Sequence, residues 1–192
     1  MQRMPNLNEQ DRKELISIAR NTLETYLSTG KIPETHPASA ALLVYLGAFV
    51  SLHEGDELRG CIGQIEPDRE LYKIVQSCAL SAALDDPRFP PVTAEQLPSL
   101  NIEISVLTPM VRVARIEEIE VGRHGLYITL GSRRGLLLPQ VATQYGWNRD
   151  AFLAQTCRKA GLPENAWRDR PASIFCFEAQ VFSEPRILSA DR

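Results

Sequence analysis

A segment near the middle of the chain alternates strictly between apolar and polar residues. The apolar positions are Leu100, Ile102, Ile104 and Val106, and the residues between them are Asn101, Glu103 and Ser105. Successive side chains of a β-strand point to opposite faces of a sheet, so this pattern predicts a half-buried strand with one polar face. A strand of this kind needs neighbouring strands and a covering layer on its apolar side.

Further strand-like runs are joined by short turns, and helical patterns lie between them. The turn Glu54-Gly55-Asp56 follows a run at residues 47–52 and predicts a hairpin whose second arm begins near Leu58. A second hairpin is predicted from strands near 126–130 and 135–138, and a closing strand from alternation at residues 175–181. Helices are predicted at 9–28, after Pro67-Asp68, and at 139–145 and 149–160. The fold class is therefore α+β, with a mainly antiparallel sheet flanked by helices.

The length of the chain limits the number of domains, and its net charge argues against some function classes. The 192 residues suit a single domain, which we divide into a larger lobe (about residues 8–115 with the C-terminal strand) and a smaller one (about 116–170). A net charge of −3 argues against a broad nucleic-acid-binding surface. Residues 1–11 are polar and the longest apolar stretch, residues 38–52, is too short to span a membrane, so a cytoplasmic location is expected. The four cysteines form no C-x-x-C pair, and neither a metal site nor a cofactor is predicted.

The candidate functional centre is the segment Leu58-Arg59-Gly60-Cys61-Ile62-Gly63. A two-residue period places Arg59, Cys61 and Gly63 on one face of the predicted strand and the other three residues on the opposite face. A guanidinium near a thiol favours the thiolate, so Cys61 is a candidate nucleophile, redox-active thiol or metal ligand, and Arg59 a candidate anion contact. The alternative is that Cys61 is a small buried residue and that the glycines allow tight packing.

Other polar residues are candidates for the same site. Glu103 lies on the polar face of its strand, where it would serve as a general base or partner of Arg59, or simply face solvent. Arg88, after Asp86-Pro87, either fixes its loop through an ion pair or contacts a ligand. Arg134, next to Arg133 in a predicted turn, would grip a phosphate or form a solvated hairpin tip.

The segment at residues 58–63 also resembles the signature of the AMMECR domain family. Matching segments follow in order along the chain, including Gly47-Ala48-Phe49-Val50, Asp86-Pro87-Arg88-Phe89-Pro90-Pro91 and Lys159-Ala160-Gly161-Leu162-Pro163. The resemblance covers about residues 10–184 and implies an α+β fold with two lobes around a cleft. The apolar run at residues 38–46 is richer in alanine and leucine than the family pattern and indicates an added helix or an interface.

The resemblance also implies partners. Bacterial and archaeal members are associated with a Memo-type protein and a radical SAM enzyme, the AmmeMemoRadiSam group, which suggests a modification pathway acting on nucleic acid or nucleotides. We therefore expect a small anionic or nucleotide-like ligand near Arg59 and Cys61, with Gly60, Gly63, Arg88 and Arg134 as further contacts. The alternative is a non-enzymatic scaffold or protein-interaction module.

Overall fold

The chain divides into two structural units in the computed structural model, which describes residues 7–168 and 172–185. The first unit holds the chain up to Leu107 and again from Gln180, and the second holds Thr108–Ala179. Two predicted boundaries lie outside the described residues. They are the start of the domain, at residues 1–6, and the end of the smaller lobe, at residues 169–170. The cleft that the family resemblance implies stays a prediction.

The first unit is a four-stranded sheet with two helices. Its strands are β1 (Ala48–Glu54), β2 (Glu57–Gln64), β3 (Leu100–Leu107) and β8 (Ala179–Ser183), in the order β2-β1-β3-β8. The helices are α1 (Glu9–Thr29) and α2 (Leu71–Leu84). Strand β1 pairs antiparallel with both β2 and β3, so β2 lies at an edge of the sheet.

One face of this sheet packs against the two helices. The four apolar residues of the alternating segment are at most 1% exposed, and they join Val50 and Leu52 in one core cluster. Leu71, Ile74, Val75, Cys78 and Ala82 of α2 belong to the same cluster. The predicted half-buried strand and the α+β fold class are thus confirmed, because burial of one face is what the alternation requires.

The helix ends show how local chemistry sets boundaries. Asn8 forms a capping box with Asp11 at the start of α1, and Gly30 ends the helix in the left-handed conformation at φ 72°. Helix α2 begins at Leu71 rather than at Pro67, so the predicted start was wrong. The Asp68 carboxylate accepts hydrogen bonds from Gln64 and Arg69 instead of capping backbone amides, which keeps this segment a turn.

The second unit is also a four-stranded sheet with helices. Its strands are β4 (Val111–Arg112), β5 (Gly125–Leu130), β6 (Arg133–Leu137) and β7 (Ser173–Phe177), in the order β4-β7-β5-β6. The helices are α3 (Pro139–Gln144) and α4 (Arg149–Lys159). Phe152, Leu153 and Cys157 of α4 are fully buried against Leu126 and Ile128 of β5.

The single closing strand predicted at residues 175–181 is two strands in two different sheets. Strand β7 ends at Phe177 and β8 begins at Ala179. Between them the Glu178 N–H donates to Thr108 Oγ1 (2.7 Å), and the Glu178 carbonyl accepts from the Thr108 N–H (2.8 Å). Alternation continues through a change of partner, so the pattern alone cannot reveal the break.

Candidate functional site

The face of the first sheet turned away from α1 and α2, here called the outer face, carries three rows of residues that include polar side chains. Strand register defines each row, in the order β2, β1, β3. The rows are Cys61–Ser51–Glu103, Gly63–Phe49–Ser105 and Leu58–His53–Asn101. Cys61 and Glu103 are therefore in one row with Ser51 between them, roughly 9.6 Å apart from two strand spacings.

The Cys61 side chain is in contact with Ser51. The Ser51 hydroxyl donates to Cys61 Sγ at 3.1 Å. Ser51 is 9% exposed and Cys61 is half-buried, so the sulfur is held by a polar neighbour and still reached from solvent. The thiol is thus oriented by its surroundings and not enclosed in an apolar core.

An ion pair caps the backbone of Cys61 at the edge of the sheet. The Cys61 N–H donates to Asp86 Oδ2 (2.8 Å), and the Cys61 carbonyl accepts from Arg88 Nη2 (3.3 Å). Asp86 and Arg88 also bind each other through two side-chain contacts, Nε to Oδ1 (2.9 Å) and Nη2 to Oδ2 (2.6 Å). At Cys61 the pair occupies the position of a missing neighbouring strand, since an edge strand leaves such backbone groups unpaired.

The pKa values of Asp86 and Arg88 are set by their hydrogen bonds to each other and by their different burial. The Asp86 side chain is 2% exposed, whereas that of Arg88 is 50% exposed. Hydrogen bonding from Arg88, with a smaller contribution from the Cys61 N–H, holds the pKa of Asp86 well below its usual range, while burial opposes this shift. The same pairing raises the pKa of Arg88. The ion pair proposed from sequence for Arg88 is present, and a ligand contact by Arg88 stays a prediction.

Arg59 does not share the geometry predicted for it. The pairing of β1 with β2 shifts register between Leu52 and His53, so Gly60 lies opposite Leu52 and Leu58 opposite His53. Arg59 is the additional residue of this β-bulge, and its Nε lies 3.6 Å from Glu54 Oε2. The sequence analysis used a two-residue period to place Arg59 on the same face as Cys61. That period does not hold here, because a bulge interrupts it.

The two signature glycines have packing roles. Gly60 faces α2, where an added Cβ would overlap the Ala82 carbonyl oxygen. Gly63 is on the outer face, and an added Cβ would overlap the Phe49 ring. Gly60 is therefore on the opposite face from the Cys61 side chain, and the space beside Gly63 is filled by Phe49.

Glu103 is half-buried on β3. Within the described residues, its carboxylate makes no hydrogen bond and no ion pair. Its predicted partner Arg59 is bound to Glu54 instead. Among residues 7–168 and 172–185, no cation pairs with this carboxylate.

The remaining candidates are not part of the outer face. Arg134 lies on β6 in the second unit and is exposed, while the neighbouring Arg133 donates to the Gly161 carbonyl at 2.6 Å. Burial raises the pKa of Cys78 to about 11 and also raises that of Cys176, which agrees with packing roles for both thiols. Across the described ranges, no three metal-binding side chains converge and no helix is long and apolar enough to cross a membrane.

Sequence reasoning missed the contacts that Cys61 makes with Ser51, Asp86 and Arg88. The hydroxyl of Ser51 on the sulfur follows from strand register, and the only sequence signal was the polar position of Ser51 between Val50 and Leu52. The bond from Cys61 to Asp86 joins residues 25 positions apart, which no local pattern encodes.

Comparison with known proteins identifies the family. The family model described as AMMECR1 matches residues 16–182. The chain belongs to the AMMECR1 family. It is 43% identical to Protein MK0488 from Methanopyrus kandleri over 88% of this chain and 86% of that one. It is 44% identical to Protein MJ0810 from Methanocaldococcus jannaschii over 88% of each.

A solved structure supports the AMMECR1 fold as well. The crystal structure of the uncharacterized protein PH0010 from Pyrococcus horikoshii matches with a TM-score of 0.84 and 41% identity. The match covers 88% of this chain and 89% of that chain. The family resemblance drawn from residues 58–63 is thus confirmed, and the relatives are themselves uncharacterised AMMECR1-family proteins.

Proposed function

We propose that this AMMECR1-family protein is a cytoplasmic component of a modification pathway that includes a Memo-type protein and a radical SAM enzyme. In this proposal it binds a small ligand on the outer face, through an anionic group of that ligand placed beside Cys61. The anion contact is Arg88 and not Arg59, whose guanidinium is turned to Glu54.

The state of Arg88 is the observation that carries the proposal. Asp86 occupies Nε and Nη2, and in the described structure Nη1 has no hydrogen bond. Half of the side chain is exposed, while the buried Asp86 fixes its direction. A guanidinium fixed in this way offers planar donors to a phosphate or carboxylate at little entropic cost.

The Cys61 sulfur gives the site its reactive group. Ser51 orients the sulfur toward the side chains of the outer face. In the enzymatic form of the proposal, the Cys61 sulfur attacks an electrophilic carbon of the bound ligand and displaces a leaving group, which departs with the electron pair of the broken bond. The thiol proton passes through water to Glu103, which acts as the general base. This form requires Cys61 to react faster than an ordinary exposed thiol.

The test is protection of Cys61 from iodoacetamide, followed by peptide mass spectrometry. We expect AMP to slow alkylation of Cys61, and we expect Arg88→Met to abolish that protection. Arg69→Met is the matched control, because Arg69 also pairs with a neighbouring aspartate on the first unit but lies outside the outer face. Circular dichroism checks that both variants are folded.

Two results would count against the proposal. If AMP, inorganic phosphate and sulfate all leave the alkylation rate of Cys61 unchanged in the wild-type protein, the anion site is refuted. If Cys61 in the folded protein is alkylated no faster than a model thiol, the enzymatic form fails and binding alone is left.

A second candidate, an interaction module, is favoured by a different observation. Arg59, Gly60, Cys61 and Gly63 of the signature each have a structural contact. Leu43 and Tyr45 are 47% and 58% exposed. Both lie in the apolar run at residues 38–46, where Ala40–Leu42 form a 3-10 helix and Leu42 and Leu46 are buried. If this is the function, Tyr45→Ser weakens co-elution with the Memo-type protein, whereas Cys61→Ser leaves it intact.

A further inference from the structure

We infer that the ligand of the outer face also carries a cationic amine, and that Glu103 binds this amine. The inference rests on the proposed function, since it assumes a ligand seated beside Cys61. It adds the chemical class of that ligand, which is zwitterionic and not simply anionic.

The charges of the site lead to this conclusion. Arg59 is paired with Glu54 at 3.6 Å, and Arg88 is paired with Asp86 at 2.6 Å. Each pair is neutral as a whole, so Arg88 offers directed donors but no net positive charge. In the part of the chain that the structure describes, Glu103 then leaves the site with one uncompensated negative charge.

The described residues around Glu103 provide no cation for it. Its neighbour in the row on β1 is Ser51, and Asn101 and Ser105 flank it on the same face of β3. On the other side of β3, β8 has the sequence Ala-Gln-Val-Phe-Ser, which contains no charged residue. The nearest titratable group on this face of β1 is His53, one row away.

Burial makes this carboxylate a binding group. A half-buried carboxylate has lost part of its hydration, and without a partner it does not recover that loss. An ammonium group of a ligand would restore it through a charge-assisted hydrogen bond. Among the charged groups of the outer face, Glu103 is thus the one whose interactions improve most when a cation binds.

The spacing within the row limits the shape of the ligand. The row places Glu103 two strands from Cys61, roughly 9.6 Å away, with Arg88 beyond Cys61 at the edge of the sheet. An anion at Arg88 and an amine at Glu103 would place the middle of the ligand over Ser51 and Cys61. A phosphate or carboxylate joined to a primary amine by an extended linker fits this arrangement.

The first arm of the test compares two competitors in the alkylation assay. Aminohexyl phosphate carries both groups, and hexyl phosphate lacks only the amine. We expect aminohexyl phosphate to protect Cys61 at a concentration roughly tenfold lower, the effect of one charge-assisted hydrogen bond. Glu103→Gln should remove the difference, and Glu57→Gln, an exposed acid on β2, should retain it.

The second arm measures the local potential without any bound anion. In a Cys176→Ser background, Cys61 is treated with a trimethylammonium-bearing or a sulfonate-bearing methanethiosulfonate, and its sulfur forms a disulfide while methanesulfinate leaves. We expect the ratio of cation to anion rates to exceed that of a neutral model thiol by about tenfold at low salt. Glu103→Gln should bring the ratio close to that of the model thiol.

The two arms separate this inference from the proposed function. If AMP protects Cys61 through Arg88 but Glu103→Gln changes neither the competitor difference nor the rate ratio, the inference is overturned and the proposed function stands. If Arg88→Met has no effect on protection while Glu103→Gln removes the rate ratio, the anion contact fails and the cation-binding role of Glu103 is supported.

Discussion

Replacing Asp86 by asparagine tests how the edge of the first sheet is held. Asp86 accepts four hydrogen bonds, from the Cys61 N–H and from the backbone N–H, Nε and Nη2 of Arg88. An asparagine keeps one acceptor oxygen and turns an NH2 group toward donors. The variant therefore loses the ion pair and about half of these hydrogen bonds, while the volume of the side chain is nearly unchanged.

The loss of stability expected for Asp86→Asn depends on how deeply Asp86 and Arg88 are each buried. A hydrogen bond to a charged group contributes about 1.5–3 kcal/mol, and breaking a fully buried ion pair costs about 3–5 kcal/mol. Arg88 is 50% exposed and regains water, so the loss is reduced on its side. We expect Asp86→Asn to lower the free energy of unfolding of the first unit by about 2–4 kcal/mol.

The assay has to report on the first unit, and tryptophan fluorescence does not. Trp147 and Trp167 both belong to the second unit. Cys78 is 4% exposed in the core of the first unit, so its alkylation requires opening of that core. At about tenfold per 1.4 kcal/mol, Asp86→Asn should accelerate Cys78 alkylation roughly thirtyfold to several hundredfold.

Asp68→Asn is the matched control, because Asp68 pairs with Arg69 at the surface of the same unit. Exposed pairs of this kind contribute about 0–1 kcal/mol, so Cys78 alkylation should change little. An Asp86→Asn variant that labels Cys78 as slowly as Asp68→Asn would show that the pair does not hold the sheet edge.

The contribution of Asp86 to the free energy of unfolding decreases as the pH falls. The pKa of Asp86 is lower in the folded protein than in the unfolded chain, so the carboxylate stabilises the fold above its unfolded pKa of about 3.9. That contribution is lost as the pH falls through the folded pKa. The stability difference between wild type and Asp86→Asn should hold from neutral pH to about pH 5 and shrink below about pH 4.

Two further substitutions test other contacts of the first unit. Gly60→Ala adds a Cβ that overlaps the Ala82 carbonyl oxygen, so it should lower the free energy of unfolding by about 1–3 kcal/mol, as measured by Cys78 alkylation. Arg20→Met breaks a half-buried ion pair with Glu184, so it should release β8 first, and amide hydrogen exchange should rise in β8 before it rises in β1.

Local periodicity explains what the sequence predicted well. The apolar positions of β3 recur every second residue, and those of α2 recur at helical spacing, so burial of one face could be inferred from each segment alone. The fold class follows from these segments and their turns.

Contacts that depend on pairing between segments could not be inferred in this way. The bulge at Arg59 exists only relative to β1, and the capping of Cys61 by Asp86 requires the loop after α2 to fold back onto β2. Strand register brings Cys61 and Glu103 into one row, and a functional site there stays a prediction. The contact of Arg88 with the Cys61 carbonyl was not predicted from the sequence. A two-residue period places Arg59 beside Cys61, but this period does not hold where the register of β1 and β2 shifts.

The ion pair at the edge of β2 bears on the solubility of the protein. An uncovered edge strand exposes backbone groups to which another chain can add by β-sheet pairing. Asp86 and Arg88 occupy those groups at Cys61, the position where the signature combines glycines with few bulky side chains. Loss of this pair should therefore promote association between molecules at high concentration, in addition to lowering the stability of the first unit.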